Sequence, residues 1–571
     1  MTMKFDLILE DEFDALLRLV TNQHTMRFFW PISCVEARDQ DIASSTSSSS
    51  SSTPASSSPA SASSASKTKY PAKLHARRVA DELGVREGLI YLPGQPERLL
   101  EDSDQPRAFR QRRYFFYLSG VDFEDCAITY EIGHDKLTLW IPYVEPRQVL
   151  WFGSKPSAAE CQRRYDVDEV RYTTQLGKFL CNFAADPSAP TTYILHPDQA
   201  PDLGRSSSSS NSSKLRLDDA RLQLAMDRAR VIKTGYEVAM IRRANDISSA
   251  AHRRVAERIT RLSNERETEA IIQAVCIANG SRSQAYPIIA GAGSNGATLH
   301  YGSNNASLRN KQCLVLDAGC EWNCYASDIT RTLPLSGSWS PKAAAVHTIV
   351  QRMQDECIRQ VRPGKLWRDI HLLAVQIGLD GLLALGILKG PRDEVARAGT
   401  MAAFFPHGLG HHVGLDVHDV SGSLALAAAD TRGVQLDHGK RVMVTPVMLA
   451  HLLRERDNDK QQAAEAGAGA GAAGRKSQYL LPNMVVTVEP GIYFCREYLE
   501  GYFLHNPSHS RFIDWDVLEG YYDVGGVRIE DCILVTHDGY ENLTTAPKGD
   551  ELLDVIREGD RGCVRDVFLS L

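Results

Sequence analysis

The chain has 571 residues, 43% hydrophobic and 24% charged, the balance of ordinary globular protein and about three or four domains' worth of length. A formal net charge of -7 offers no basic field to a polyphosphate backbone, which argues against a nucleic-acid partner. No run approaches the ~18 apolar residues of a membrane span, and MTMKFDLILEDEFDALL carries acids where a secretory leader would be basic and then apolar, so a cytoplasmic protein with no membrane partner is expected.

In chain order, residues 1–68 read as a low-complexity, disordered extension, dominated by the Ser, Ala, Thr and Pro tract from Ala43 to Ser66. Residues 69–214 read as an α/β domain. Its pattern predicts a helix over Tyr70–Leu83, strands over Gly88–Leu92, Tyr114–Leu118, Cys126–Tyr130 and Lys136–Ile141, a helix over Phe152–Tyr165 and a strand over Thr192–Leu195. This region carries no convergent catalytic set and suits a shaping or oligomerisation role. A second flexible tract runs from Ser206 to Ser213.

Residues 215–233 form a helical linker, within amphipathic helix from Leu215 to Arg261 that is broken near Lys233–Tyr236. Residues 234–571 then read as one large α/β unit, with strands over Cys313–Asp317, Ala326–Thr332, Val485–Glu489 and Val527–Val535 and a helix over Lys342–Gln360. A flexible insertion occupies about 454–476, where the charged run Arg454–Lys460 precedes the Ala/Gly tract Ala463–Gly474. The chain's 12 cysteines are scattered. Only Cys320 and Cys324 come close together, with no second pair to complete a zinc ribbon, so reduced core thiols are expected.

Chemistry-bearing residues concentrate on the strands of the second unit. Alternation places Val315 and Asp317 on one strand face, and Asp328, Thr330 and Thr332 share a face of the next strand. A short connection makes these strands hairpin partners. Glu489 ends an apolar run stopped by Pro-Gly, and Glu530 lies in Val527-Arg528-Ile529-Glu530, where Arg528 and Glu530 face the same way. Burying four carboxylates separately costs a great deal; burying them around divalent cations removes that cost. The histidines His407, His411, His412 and His418 fall within twelve residues among glycines at 408, 410 and 414. Both His411 and His412 are candidate ligands. HExxH, Walker A, Rossmann and G-x-S-x-G signatures are absent, and GAGSNG (291–296) reads as a turn before His300. One imidazole with four carboxylates can hold two metals of the Mn(II), Co(II), Fe(II) or Zn(II) kind, which is hydrolase machinery.

The segments HGLGHHVGLDVHD, TVEPGIY and GGVRIED, with Asp317 and Asp328 upstream, are similar to the pita-bread metallopeptidases, most closely the aminopeptidase P/prolidase group. The resemblance covers about residues 69–571, including FRQRRYFFYLSG in a creatinase-like N-terminal domain. It implies a mixed α/β (α+β) fold, the creatinase-like domain preceding a pita-bread catalytic domain. It also implies two divalent metal ions per subunit, Mn(II) foremost, held by Asp317, Asp328, His411, Glu489 and Glu530, with Asp328 and Glu530 bridging. The spacing of the resemblance selects His411 over His412. By the same resemblance His300 and His418 contact substrate and the tetrahedral intermediate, Glu489 moves the proton to the departing proline nitrogen, and His407, Tyr493 and Arg528 wall the proline pocket. Proline-containing peptides are the implied partners, and a homodimer the implied assembly.

The activity expected is hydrolysis of an N-terminal Xaa-Pro bond. A strict Xaa-Pro dipeptidase is the alternative, and Arg475, fourteen residues before Glu489, is a candidate partner for a proline carboxylate. Methionine aminopeptidase has similar ligands, but the large N-terminal domain and the proline-pocket residues argue against it. A non-catalytic pita-bread binding module is the alternative of another class, against which stand five filled ligand positions.

Overall fold

A computed structural model describes residues 69–185, 190–201, 215–420, 426, 434–437, 440–443 and 478–561. The expected tracts at 43–66, 206–213 and 463–474, the extension 1–68 and Arg475 lie outside these residues.

The first domain is built on a six-stranded sheet ordered Glu169–Tyr172, Lys136–Ile141, Ala127–Glu131, Leu89–Pro93, Thr192–Tyr193, Leu217–Asp218. The middle three strands are antiparallel, with Leu89 opposite Glu131 and Ala127 opposite Trp140, and the outer strands add in parallel. Alternation divides its residues between two apolar layers. Ile90, Leu92, Ile128, Leu137 and Leu139 meet the core shared with Val79 and Leu83 of helix Ala72–Leu83. Tyr91, Ala127, Trp140 and Ile194 meet Leu176 and Phe179 on the other side. The buried indole of Trp140 donates to Thr129 Oγ1 at 2.9 Å.

Two expectations change here. Tyr114–Leu118 is not a strand but lies in helix Arg113–Ser119. Its residues Phe115 to Leu118 are all buried, and a short apolar run buried on every side carries no periodicity to separate the two states. The helix expected over Phe152–Tyr165 is two helices, Pro146–Phe152 and Ala158–Arg164. Ser157 and Glu160 start the second with a reciprocal capping box.

The linker is helical only from Leu222. Leu217–Asp218, expected as helix, closes the first sheet as a strand. Then come helix Leu222–Val231, the expected break, and helix Gly235–Ala256, begun by a Thr234–Glu237 capping box. Beyond it, Ile289–Ala292, Cys313–Asp317 and Thr330–Pro334 form one antiparallel sheet. Val485–Val488, Asp531–Val535 and Tyr540–Asn542 form another, and Gly491–Tyr493 pairs with Gly526–Arg528. Helices Pro341–Arg359 and Trp367–Ala384 join the large core through Val346, Val350, Met353, Ile370 and Ala374, which share it with Val486 and Val488.

Two strands are shorter than the sequence pattern suggests. Pairing with Cys313–Asp317 begins at Thr330, opposite Asp317, so Asp328 stands in the joint before the strand. Cys320–Trp322 and Tyr325–Ala326 instead form their own ribbon with Ser283–Gln284. Likewise Val527–Val535 is interrupted at Ile529–Glu530, where a single bridge pairs Glu530 with Thr330. The acidic residues stand at these interruptions, where the backbone leaves the ladder and side chains can turn inward.

Candidate active site

Three groups of different sequence origin converge. One ligand atom each from Asp328, His411 and Glu530 lies within 4.8 Å of the other two. His411 Nε2 is 3.4 Å from an Asp328 oxygen and 3.4 Å from Glu489 Oε1, which brings in the fourth residue. Asp317 comes from the strand paired with Thr330, and its two oxygens accept from Tyr286 OH at 2.6 Å and Arg528 Nη2 at 2.7 Å. Asp317, Asp328 and Glu530 are buried and Glu489 nearly so.

Local geometry explains why these segments can approach. His411 N donates to Thr487 Oγ1, Thr487 N returns a bond to His411 O, and Glu489 N donates to Leu409 O. The histidine loop therefore lies directly against the Val485–Val488 strand. Gly410 permits this, since a Cβ there would collide with the carbonyl oxygen of Thr487. The ambiguity between the adjacent histidines is resolved by direction. His411 Nδ1 meets His412 O at 3.0 Å, which aims Nε2 at the acids. His412 is buried facing away, its Nε2 2.8 Å from Gln478 Oε1.

Electrostatics set this cluster apart. Burial, and then Asp317, push the Asp328 carboxyl well above the ordinary range. Burial and Asp328 do the same to Glu530, and burial and Glu530 to Glu489. Among the described residues Arg528 is the cation that faces them, and its guanidinium is already shared among Asp317, Thr330 Oγ1 and Tyr493 OH. One guanidinium cannot neutralise four clustered carboxylates, so in the protein alone some must keep a proton. A buried, oxygen-rich donor set with one imidazole and a deficit of positive charge fits divalent cations. The same five residues would hold them.

The remaining expected residues flank this centre. His407 Nε2 meets Tyr493 OH at 2.8 Å, and Arg528 Nη1 donates to the same oxygen at 3.0 Å, so His407, Tyr493 and Arg528 form one connected wall. Burial lowers His407 to about 3, and burial raises Tyr493 to about 12. His418 is exposed, with its ring edge-on to His411 at 4.3 Å between centroids. His300 is exposed too, close enough for its charge to bear on both His407 and His418.

Sequence reasoning missed Tyr286 and Thr487, and noted Thr330 only as a face-mate of Asp328. Thr330 Oγ1 donates to Glu530 Oε2 at 2.7 Å and accepts from Arg528 Nε at 3.1 Å. Its place on the acidic face was a usable signal; a tyrosine in a loop 31 residues from its carboxylate gave none.

Residues 239–537 match metallopeptidase family M24, and residues 73–193 match the aminopeptidase P N-terminal domain. A probable Xaa-Pro aminopeptidase of Metarhizium acridum is 70% identical over 560 residues, spanning 98% of this chain and 100% of the relative. Among solved structures, the low-pH form of aminopeptidase P from E. coli covers 87% of this chain and 100% of its own, with 24% identity and a TM-score of 0.68. Pseudomonas aeruginosa aminopeptidase PepP covers 86% and 100%, with 25% identity and a TM-score of 0.67. The architecture is thus the expected one, an α/β N-terminal domain before a pita-bread domain.

Proposed function

The chain belongs to metallopeptidase family M24, and from that premise we propose that it is a metal-dependent Xaa-Pro aminopeptidase, releasing the residue before a penultimate proline. The observation that carries the reading is the buried carboxylate cluster around His411, raised well above the ordinary range and facing a single guanidinium. Asp317, Asp328, His411, Glu489 and Glu530 are assigned as the ligands of two divalent ions, Mn(II) foremost. Such ions supply Lewis-acid polarisation of the scissile carbonyl and lower the pKa of water.

The chain's own residues do the rest. Glu489 Oε holds the proton that must reach the departing proline nitrogen, because an unprotonated amide nitrogen leaves poorly. In the metal-free protein, burial and then Glu530 raise its carboxyl, so the same group can take up and pass on a proton. His418 and His300 stand exposed at the mouth, placed to donate to the carbonyl oxygen as charge develops there. His407, Tyr493 and Arg528 present a connected polar wall to the proline ring. The reading extends to a cytoplasmic homodimer. Leu150, Trp151 and Phe152 stand consecutively exposed on the N-terminal domain, apolar area of the kind that association covers.

The test compares kcat/KM for an Xaa-Pro-Yaa tripeptide, its Xaa-Ala-Yaa analogue and the Xaa-Pro dipeptide. Preference for the tripeptide, with the alanine analogue uncut, is expected. Cleavage of the dipeptide alone, abolished in Arg475→Ala, would establish a strict dipeptidase instead.

A further inference from the structure

Away from the metal cluster, the chain buries a second set of charges at the seam between the two domains. Three acids take part, and all come from segments that carry candidate active-site residues. Glu321 sits on the ribbon between Asp317 and Asp328, while Asp416 and Asp419 straddle His418. The cations come from elsewhere. Arg110 and Arg113 belong to the N-terminal domain, and Arg230 and Lys233 to the linker.

The contacts are specific. Arg113 and Arg110 both donate through Nη2 to Glu321 Oε1, Arg110 at 2.9 Å. The same two guanidiniums lie 3.8 Å and 3.5 Å from Asp416 Oδ1. Arg230 Nη2 donates at 2.9 Å to Asp416 and at 2.9 Å to Asp419, and Lys233 Nζ donates at 2.6 Å to Asp419. Arg113, Arg230, Lys233, Glu321 and Asp419 are all buried. The loop is shaped for this contact, because a Cβ on Gly414 would occupy the space of the Asp419 carboxyl.

Such a network is a poor way to gain stability, since buried ion pairs roughly balance their own desolvation. It is an effective way to fix geometry. Among the described residues no hydrogen bond orients the His418 ring, so its direction depends on the backbone that Asp416 and Asp419 anchor. Arg113 spans both sides of the seam, touching the ribbon that lies between Asp317 and Asp328 and, more loosely, the arm that carries His418.

We propose that this ionic seam is a positioning device through which the N-terminal domain sets His418 against the metal centre, with Arg113 as its positioning residue. The proposal rests on the peptidase reading. The N-terminal domain thereby acts on turnover as well as on shape, although none of its residues touches the reacting atoms.

The experiment uses the metal-loaded full chain. Wild-type cleavage of an Xaa-Pro-Yaa peptide is measured first, and failure there overturns the peptidase reading alone. Arg113→Met leaves the buried Glu321 with only the half-exposed Arg110 as partner, which lowers stability, and it should lower kcat about 10–100-fold, the usual cost of a supporting partner around a metal site. KM should stay within about twofold on that view, and metal content should not change. Arg113→Lys should recover part of the rate. The double variant Arg113→Met/Glu321→Gln leaves no unpaired buried charge, so its melting temperature should return while kcat stays low. Independently of turnover, and with diamagnetic Zn(II) in place of Mn(II), the Cε1–H resonance of His418, identified by its absence in His418→Ala, should shift in Arg113→Met. Unchanged kcat with an unshifted His418 resonance would overturn the proposal, as would a rate loss that the double variant restores together with its melting temperature.

Discussion

Glu530 and Asp531 are neighbours in sequence, both buried, and their carboxyls are driven in opposite directions. Asp531 points behind the strand, where Arg331 and Lys548 donate to it at 2.8 Å and 2.8 Å. Burial would raise it, but those two cations overcome the penalty and hold it down to about 2. Glu530 points into the site, where burial and Asp328 raise it well above the ordinary range. Asp419 repeats the first pattern, held far below the usual range by Lys233 and Arg230 against its burial. Asp531 and Asp419 are buried acids that the chain supplies with cations of its own. Among the described residues the Asp328, Glu489 and Glu530 cluster faces only Arg528, already shared with Asp317, and is where further positive charge must come from outside.

That contrast can be broken most sharply by substitution. Glu530→Ala should reduce Xaa-Pro turnover by more than the roughly 100-fold typical of an outer-shell change, with little loss of stability in the metal-free protein, where it relieves repulsion. Asp531→Ala should behave in reverse. Leaving Arg331 and Lys548 short of a buried partner should cost about 3–5 kcal/mol of stability, read from urea denaturation.

The pH dependence of stability separates the two kinds of acid further. Asp328, Glu489 and Glu530 have raised folded pKa values, so the native state binds more protons than the unfolded chain above about pH 4. These three groups should therefore cost the metal-free protein stability as pH rises above about 4, and divalent cations should flatten that contribution. Asp419 and Asp531 are depressed, so their contribution is present above about pH 4 and disappears as pH falls towards 2. Buried histidines such as His252 and His412, lowered to about 4, add stability up to about pH 6.5 with or without metal. The readout is therefore the difference between thermal melts with and without metal; pH slopes that are identical in the two forms would contradict the charge deficit. The smallest effect is expected at an exposed pair. Arg392 and Asp380 approach to 2.5 Å with both side chains about half exposed, and Arg392→Ala should change stability by less than about 1 kcal/mol.

Much of this contrast was legible before any coordinates. Four acids on apolar strands already implied a cation, and the ordered segments around them pointed to the family. The sequence could not show which way each acid faced, because that is decided where strands stop: at the joint before Thr330 and at Ile529–Glu530. Nor could it choose between His411 and His412 on chemistry alone; the 3.0 Å contact from His411 Nδ1 to the next carbonyl makes the choice. In the N-terminal domain the strands near 88–92, 126–130, 136–141 and 192–195 were legible. Tyr114–Leu118 is helix, where burial on all sides erased the period, and the edge strands Glu169–Tyr172 and Leu217–Asp218 were missed. The domain's ionic link to the Cys320–Trp322 ribbon was invisible, since Arg113 and Glu321 lie 208 residues apart.

The most direct measurement of the central claim is metal content against activity, by elemental analysis of the wild type, Asp328→Asn and Glu530→Ala after loading with Mn(II) and dialysis. About two ions per chain are predicted for the wild type, as in two-metal hydrolases, with occupancy and Xaa-Pro cleavage lost together in both variants and in chelated wild type. Full cleavage by the chelated protein, or by either variant with wild-type metal content, would contradict the account.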